Sequence, residues 1–151
     1  MTEMPDFCVT GATEADIPTV KEVAHVCFSD PWSEQSLRAS LGAIFLLLTH
    51  KEKTVGFCIV SVSADEAELY DIAVLPQYRG TGGAALLIDE ALKKARALGA
   101  LTVYLEVRES NARAIGFYEK HGFVRIGMRK NYYKSPPENA ILMSLDLNER
   151  Q

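Results

Sequence analysis

Glu68-Leu-Tyr-Asp-Ile-Ala-Val-Leu-Pro-Gln-Tyr-Arg-Gly-Thr-Gly-Gly-Ala-Ala-Leu-Leu87 reads as a strand, a short basic turn rich in glycine, and the start of a long helix. Leu69, Ile72, Val74 and Leu75 make the strand apolar enough for a central, well-covered place in a sheet. Pro76 ends it. Gly80, Gly82 and Gly83 supply backbone without Cβ atoms, so several N–H groups can converge on one object. Ala84, Leu87, Ile88, Ala91, Leu92 and Ala95 then recur at helical spacing on a single stripe. A helix N-terminus preceded by glycines and Arg79 is an anion site, and a phosphate or pyrophosphate is its expected occupant.

Outward from this unit the chain alternates short elements. Phe7 to Thr10 is a strand, and Thr13 to Asp16 form a capping box for a helix whose buried face holds Ile17, Val20, Ala24 and Cys27/Phe28. Pro31 breaks that helix and Ser33 caps a second one; Trp32, the only tryptophan, sits at the corner between them, either as a packing anchor or facing a ligand. Strands at 44–49 and 54–63 join through a charged hairpin turn and lead into the strand at 67–75. A helix from about Thr81 to Leu98, closed by Gly99, crosses over to Leu101–Val107, which makes 67–75 and 101–107 parallel neighbours. A fourth helix, capped by Ser110 and stopped by Gly122, precedes an antiparallel pair at 123–128 and 140–147, joined by a polar loop over 129–139. The expected fold is α/β: a mixed, mostly antiparallel sheet of about seven strands with a central parallel pair and about four helices.

At 151 residues, with 48% hydrophobic and 24% charged residues, the expectation is one soluble domain over 1–151. The net charge of −4 offers no basic footprint, so no nucleic acid is expected as partner. Cys8, Cys27 and Cys58 lack CxxC spacing and read as reduced thiols of a cytoplasmic protein. The three histidines are too scattered for a metal site. The first six residues lack the basic and apolar regions of a signal peptide, and the longest apolar run, Leu41 to Leu48, falls far short of the ~20 residues of a membrane span.

Gly80-Thr-Gly82-Gly-Ala-Ala85 also satisfies the dinucleotide pattern Gly-x-Gly-x-x-Gly/Ala, but Pro76 to Arg79 separate it from the strand, where that pattern wants its first glycine close behind. Gln77-Tyr78-Arg79-Gly80-Thr81-Gly82 instead resembles the Gln/Arg-x-x-Gly-x-Gly/Ala signature of the GCN5-related N-acetyltransferases, the GNAT family. The resemblance extends over nearly the whole chain. It implies the GNAT fold, in which the two parallel strands splay apart and acetyl-CoA enters the gap. Backbone groups of Ile72, Ala73 and Val74 would meet the pantetheine arm, and Arg79, Gly80, Thr81, Gly82, Gly83 and Ala84 would hold the pyrophosphate.

Transfer of an acetyl group from a thioester to an amine needs a neutral amine, a polarised carbonyl and a proton returned to the thiolate. An α-amine, with a pKa of about 7.7–8.0, is roughly one-tenth neutral at pH 7, whereas lysine at about 10.4 is neutral only in a few parts per ten thousand. A carboxylate acting through a water therefore suffices as base for an N-terminus. Glu106 lies near the C-terminal end of the parallel strand, on the face of Thr102 and Tyr104, where open α/β sheets place ligands; a solvated strand-end carboxylate is the other reading. Tyr118, on the following helix, could protonate the thiolate or simply pack beside Ile115.

Leu105-Glu-Val-Arg-Glu-Ser-Asn-Ala-Arg-Ala-Ile-Gly-Phe-Tyr-Glu-Lys-His-Gly-Phe123 and Phe28-Ser-Asp-Pro-Trp-Ser-Glu34 resemble segments of the RimI-type ribosomal-protein N-acetyltransferases. That resemblance makes Glu106 the base and Tyr118 the acid. It gives Asn111 to the pantetheine chain and Trp32, Tyr132 and Tyr133 to the acceptor peptide. It implies an N-terminal peptide as partner, a ribosomal protein's N-terminal alanine as substrate, and no metal. A lysine or small-molecule amine acceptor, or a catalytically silent CoA-binding module, are the alternatives. The chain departs from the pattern at Asn139, where relatives carry an acidic residue before the alanine, and at Gly83, where they often carry a basic one.

Overall fold

The computed structural model describes residues 6–148; the first five residues, most of the stretch read above for a signal peptide, lie outside that range. Seven strands form one sheet: β1 (Phe7–Gly11), β2 (Ile44–His50), β3 (Lys53–Ser63), β4 (Glu66–Val74), β5 (Thr102–Arg108), β6 (Val124–Lys134) and β7 (Pro137–Asp146), in spatial order β1-β2-β3-β4-β5-β7-β6. All neighbours are antiparallel except β4 and β5. Among the described residues, four α-helices, with three short 3-10 turns, complete the fold: α1 (Ile17–Cys27), α2 (Glu34–Ala39), α3 (Gly83–Ala97) and α4 (Ala112–Lys120). The expected mixed sheet with one parallel pair is the observed one.

Two helices clothe opposite faces. Gly83, at the start of α3, meets Leu48, which pairs with Gly56; Phe28, at the end of α1, meets Phe57 with ring centroids 6.4 Å apart. Gly56 and Phe57 are successive strand residues, so they point to opposite faces. Of the α3 stripe predicted from spacing, Leu87, Ile88, Ala91, Leu92 and Ala95 are at most 2% exposed, and Ala84 at its start is partly buried. The helix begins at Gly83 and not at Thr81, because Gly82 stands at φ 90° as its cap and breaks the helical run before it.

The parallel pair is short. Only Glu66↔Thr102, Ala67↔Val103 and Glu68↔Tyr104 are in register, and beyond them the strands part. A second irregularity lies in β4 itself: Val60 pairs with Leu69 but Ile59 pairs with Asp71, so Tyr70 is an extra residue, a β-bulge. At the other end of the sheet, the loop expected over 129–139 is largely strand. β6 and β7 continue their ladder to Tyr133↔Glu138 and Lys134↔Pro137 across a register shift after Arg129. The prolines that suggested a loop sit at its tip, where no ladder bond is required of them.

Candidate active site

Where β4 and β5 part, a cleft of about 460 Å³ opens. Trp32, Asp71, Glu106, Asn111, Tyr118, Tyr132 and Tyr133 all contribute to its walls, so the structure brings the two proposed catalytic residues and the three proposed acceptor residues together. Glu68, Tyr70 and Glu106 also border an adjoining cavity of about 330 Å³, which extends along Glu66, Tyr104 and Arg129. The face is that expected for Glu106, shared with Tyr104 and, through pairing, with Glu68.

Glu106 is half-buried on β5. Its Oε1 lies 3.9 Å from Arg129 Nη1. The neighbouring Glu106 carboxylate, with burial, pushes the Tyr132 hydroxyl above the usual phenol range. Tyr118 projects from α4 into the cleft with its ring 5.6 Å from Phe117 and 5.7 Å from Phe123. Burial, with Asp71, Cys58 and Tyr133 nearby, pushes its hydroxyl far above the ordinary value. The phenol stays protonated and has a proton to offer. Tyr118 is thus both of the things weighed for it: a core residue, 7% exposed, and a hydroxyl at the cleft wall.

Asn111, not Ser110, caps α4: its Oδ1 accepts from Ala114 N–H at 3.2 Å. The Ser110 N–H instead donates to Glu138 Oε2 at 2.5 Å, while Arg108 Nη1 reaches Glu138 Oε1 at 3.2 Å. Arg108 also donates to the carbonyls of Ser135 and Pro136, and its guanidinium lies 4.3 Å over the Tyr133 ring. The β6–β7 tip is therefore pinned beside the cleft by Glu138 and Arg108. Asn139 has another task, accepting from Asn131 N–H through Oδ1 at 2.9 Å. The anchoring acid stands one position earlier than the family pattern suggested.

The bonds from Ser110 and Arg108 hold the Glu138 carboxyl below its usual range. A depressed carboxylate pKa makes the tether present above the unfolded value, near ~4.3, and lost as pH falls through the lower folded one. Above pH 5 the tip should stay in place. Glu138→Gln is expected to raise the apparent KM for an acceptor peptide several-fold at pH 7 while leaving that for acetyl-CoA unchanged, as steady-state kinetics with each substrate varied would show.

The glycine turn leads directly into α3. Gly80 and Gly82 both have positive φ, at 76° and 90°. The first α3 bond runs from Leu86 N–H to Gly82 O at 3.1 Å, which leaves the N–H groups of Gly83, Ala84 and Ala85 without helical acceptors. The side chain of Thr81 turns inward to donate to Tyr78 O. Arg79 Nε donates to Val74 O at 3.1 Å, and Cys27 Sγ lies 3.5 Å from that same carbonyl, so Val74 offers a ligand little of its backbone. Ile72 lines the cleft, whereas Ala73 and Val74 are buried at its end. Gly83 is small for a packing reason: a Cβ there would stand 2.6 Å from Leu48 Cδ2 and 3.3 Å from Phe7 Cζ.

Several residues escaped sequence reading: Glu68, Asp71 and Arg108 in the cleft wall, Arg129 in the adjoining cavity, and Glu138 at the β6–β7 tip. Asp71 was an acid inside an apolar strand, an anomaly that could have marked it.

The profile of the Acetyltransferase (GNAT) family matches residues 17–123. The [ribosomal protein bS18]-alanine N-acetyltransferase of Escherichia coli K12 is 34% identical over 144 residues, covering 93% of this chain and 97% of that one. Its counterpart in Haemophilus influenzae is 38% identical over 130 residues, covering 83% and 86%. Among solved structures, the ribosomal-protein-S18-alanine N-acetyltransferase from Escherichia coli superposes with a TM-score of 0.87 at 33% identity, covering 94% of each chain. Ard1 from Thermoplasma volcanium does so with 0.85 at 31% identity, covering 93% and 97%. With the glycine turn and the splayed strand pair inside the matched span, this protein is an acyltransferase belonging to the GNAT acetyltransferase family.

Proposed function

We propose that this chain is an acetyl-CoA-dependent Nα-acetyltransferase of the cytoplasm, acting on a protein N-terminus, and that its substrate is the N-terminal alanine of a small-subunit ribosomal protein. The observation that carries the reading is the company of Glu106, Tyr118, Trp32, Tyr132 and Tyr133 around one cleft at the point where β4 and β5 separate. The relatives that bear the ribosomal-alanine name at 34–38% identity support the choice of acceptor.

The residues fit acetyl-CoA as co-substrate. The free N–H groups opening α3 and the glycine turn would hold its pyrophosphate, and the unpaired edge of β4 at Ile72 would line its arm. Asn111, at the cleft wall, would touch that arm with the part of its amide not used in capping. Acetyl-CoA supplies the acetyl group as a thioester. Glu106 takes the proton that the acceptor nitrogen sheds as the amide forms, and Tyr118 donates its hydroxyl proton to the departing sulfur. The tyrosine pair and Trp32 cover the acceptor's first residues and exclude water.

Thiol release from acetyl-CoA, followed with three acceptors, tests this. Turnover is expected on an alanine-initiated ribosomal-type peptide. It is expected to vanish on the N-terminally blocked copy with an internal lysine, and on small amines. Turnover only on lysine or small amines would sink the α-amine reading, and none at all beside tight acetyl-CoA binding would favour a silent CoA-binding module.

A further inference from the structure

The bulge at Tyr70 decides which way Asp71 points. Residues paired across strands share a face, and residues two apart on a strand do as well. Glu68 pairs with Ser61, Asp71 pairs with Ile59, and Ser61 and Ile59 are two apart. Asp71 therefore lies on the face of Glu68, although three residues separate them and plain alternation would send it to the α3 side. The extra residue turns a carboxylate out of the core and into the cleft.

There the Trp32 indole stands close enough for its N–H to favour the carboxylate, and Trp32 is itself held edge-on against Tyr70 at 5.9 Å. The titratable groups that line the cleft around it are Cys27 from α1, Asp30 from the loop, Glu68 and Tyr70 from its own strand, Glu106 and Arg108 from β5, Tyr118 from α4, and Tyr132 and Tyr133 from β6, while Cys58 of β3 lies buried nearby. Of the cations, Arg108 is committed to Glu138 and the β6–β7 tip. Arg129 lies against Glu106. Among the described residues, the cations that border the cleft and its neighbouring cavity are thus engaged elsewhere and not with Asp71.

We propose that Asp71 seats the N-terminal ammonium of the acceptor and takes its first proton, leaving Glu106 for the second. This rests on the α-amine reading of the site. An α-amine enters the cleft as ammonium roughly nine times in ten at pH 7. Asp71 carboxylate accepts a proton from that ammonium and becomes the acid, leaving a neutral amine with a free electron pair. The nitrogen bonds to the acetyl carbon, the C–S bond breaks, and the remaining surplus proton passes to Glu106 while Tyr118 protonates the sulfur. Glu106 then returns its proton to the Tyr118 phenolate, and Asp71 releases its own to solvent. Burial pushes the Asp71 carboxyl up to about 7, close to the range of an α-amine, so the first transfer is nearly balanced. An ordinary carboxylate would be several units too acidic.

Asp71→Asn keeps the size and an oxygen that can accept from Trp32, so the variant should fold; melting curves check this. The experiment measures kcat/KM for an alanine-initiated peptide between pH 6 and 9 in the wild type, Asp71→Asn and Glu106→Gln. It also follows the aspartate carboxyl ¹³C resonances of wild type and Asp71→Asn through the same range, with and without peptide. The expected result is a loss of about tenfold for Asp71→Asn at pH 7, because only the neutral tenth of the peptide remains usable, and recovery towards wild type by pH 9. One resonance, missing in Asp71→Asn, should titrate near 7 and shift on adding peptide. A loss that is the same at every pH, or no loss, would overturn the proposal, as would a carboxyl that peptide leaves unmoved. A wild type inactive on the free N-terminus would instead remove the α-amine reading itself.

Discussion

Glu106→Gln is expected to lower kcat on an N-terminal peptide by about 10²–10⁴-fold, the range general acid–base groups contribute. The substitution preserves size and leaves an amide oxygen beside Tyr132, so the cleft wall should keep its shape. What it removes is a proton acceptor at the face shared with Glu68 and Tyr104. The KM for acetyl-CoA should not follow, because the glycine turn and the start of α3 are built by other residues. Tyr118→Phe tests the donor. Its ring is packed between Phe117 and Phe123, so the phenylalanine variant should melt near the wild-type temperature and lose only the hydroxyl. Because that hydroxyl is held protonated far above its usual range, no activity limb of the wild type should titrate with it between pH 6 and 10. Single-turnover measurements at saturating acetyl-CoA would separate these losses from binding. A Glu106→Gln enzyme within twofold of wild type would remove the base assignment.

How far these residues could be read before the structure follows the range of the forces that place them. The β4–turn–α3 unit is local: an apolar strand, glycines and a helical stripe act within twenty residues, and all three formed, with the helix starting two residues later than spacing put it. Glu106 could be put on the right face because β5 alternates without interruption. Asp71 could not, since one inserted residue against β3 reverses the alternation, and nothing between Leu69 and Ile72 announces it. The β6–β7 tip was misread for a related reason. Its composition is that of a loop, and its strand character comes from pairing such as Tyr133↔Glu138 and from the Arg108 and Glu138 contacts reaching back to β5 and the start of α4. Ser110 and Asn111 are both fit to cap α4; Asn111 Oδ1 takes the Ala114 N–H, while the Ser110 N–H bonds to Glu138. Long-range pairing, not propensity, decided each of these.

Gly56→Ala is expected to cost stability and cofactor affinity together, while Gly116→Ala gains stability and alters neither substrate's KM. Gly56 pairs with Val74 across β3 and β4, and a Cβ there would stand 2.6 Å from the Ala73 carbonyl oxygen and 3.2 Å from Val74 Cγ2. The nearer atom is backbone, so the strain cannot be relieved by turning a side chain. Either β3 moves away from β4 or the end of β4 shifts. Leu75 N–H is bonded to Val55 O at 2.8 Å just beyond, so the shift falls on Ala73 and Val74, whose position sets the rim of the cleft and the seat of Arg79. Overpacking of this kind costs about 1–3 kcal/mol, which for a chain of this length lowers Tm by roughly 2–12 °C. The displaced rim should also raise the KM for acetyl-CoA. Gly116 lies in the middle of α4 with nothing within 4 Å of an added Cβ, so alanine there only restricts the unfolded chain and favours the helix, by about 0.5–1 kcal/mol. Melting curves and acetyl-CoA titrations on the two variants test one claim from both sides: that the splayed end of β4 is held in place by the absence of a single methyl group. Equal Tm changes, or an unchanged KM in Gly56→Ala, would refute it.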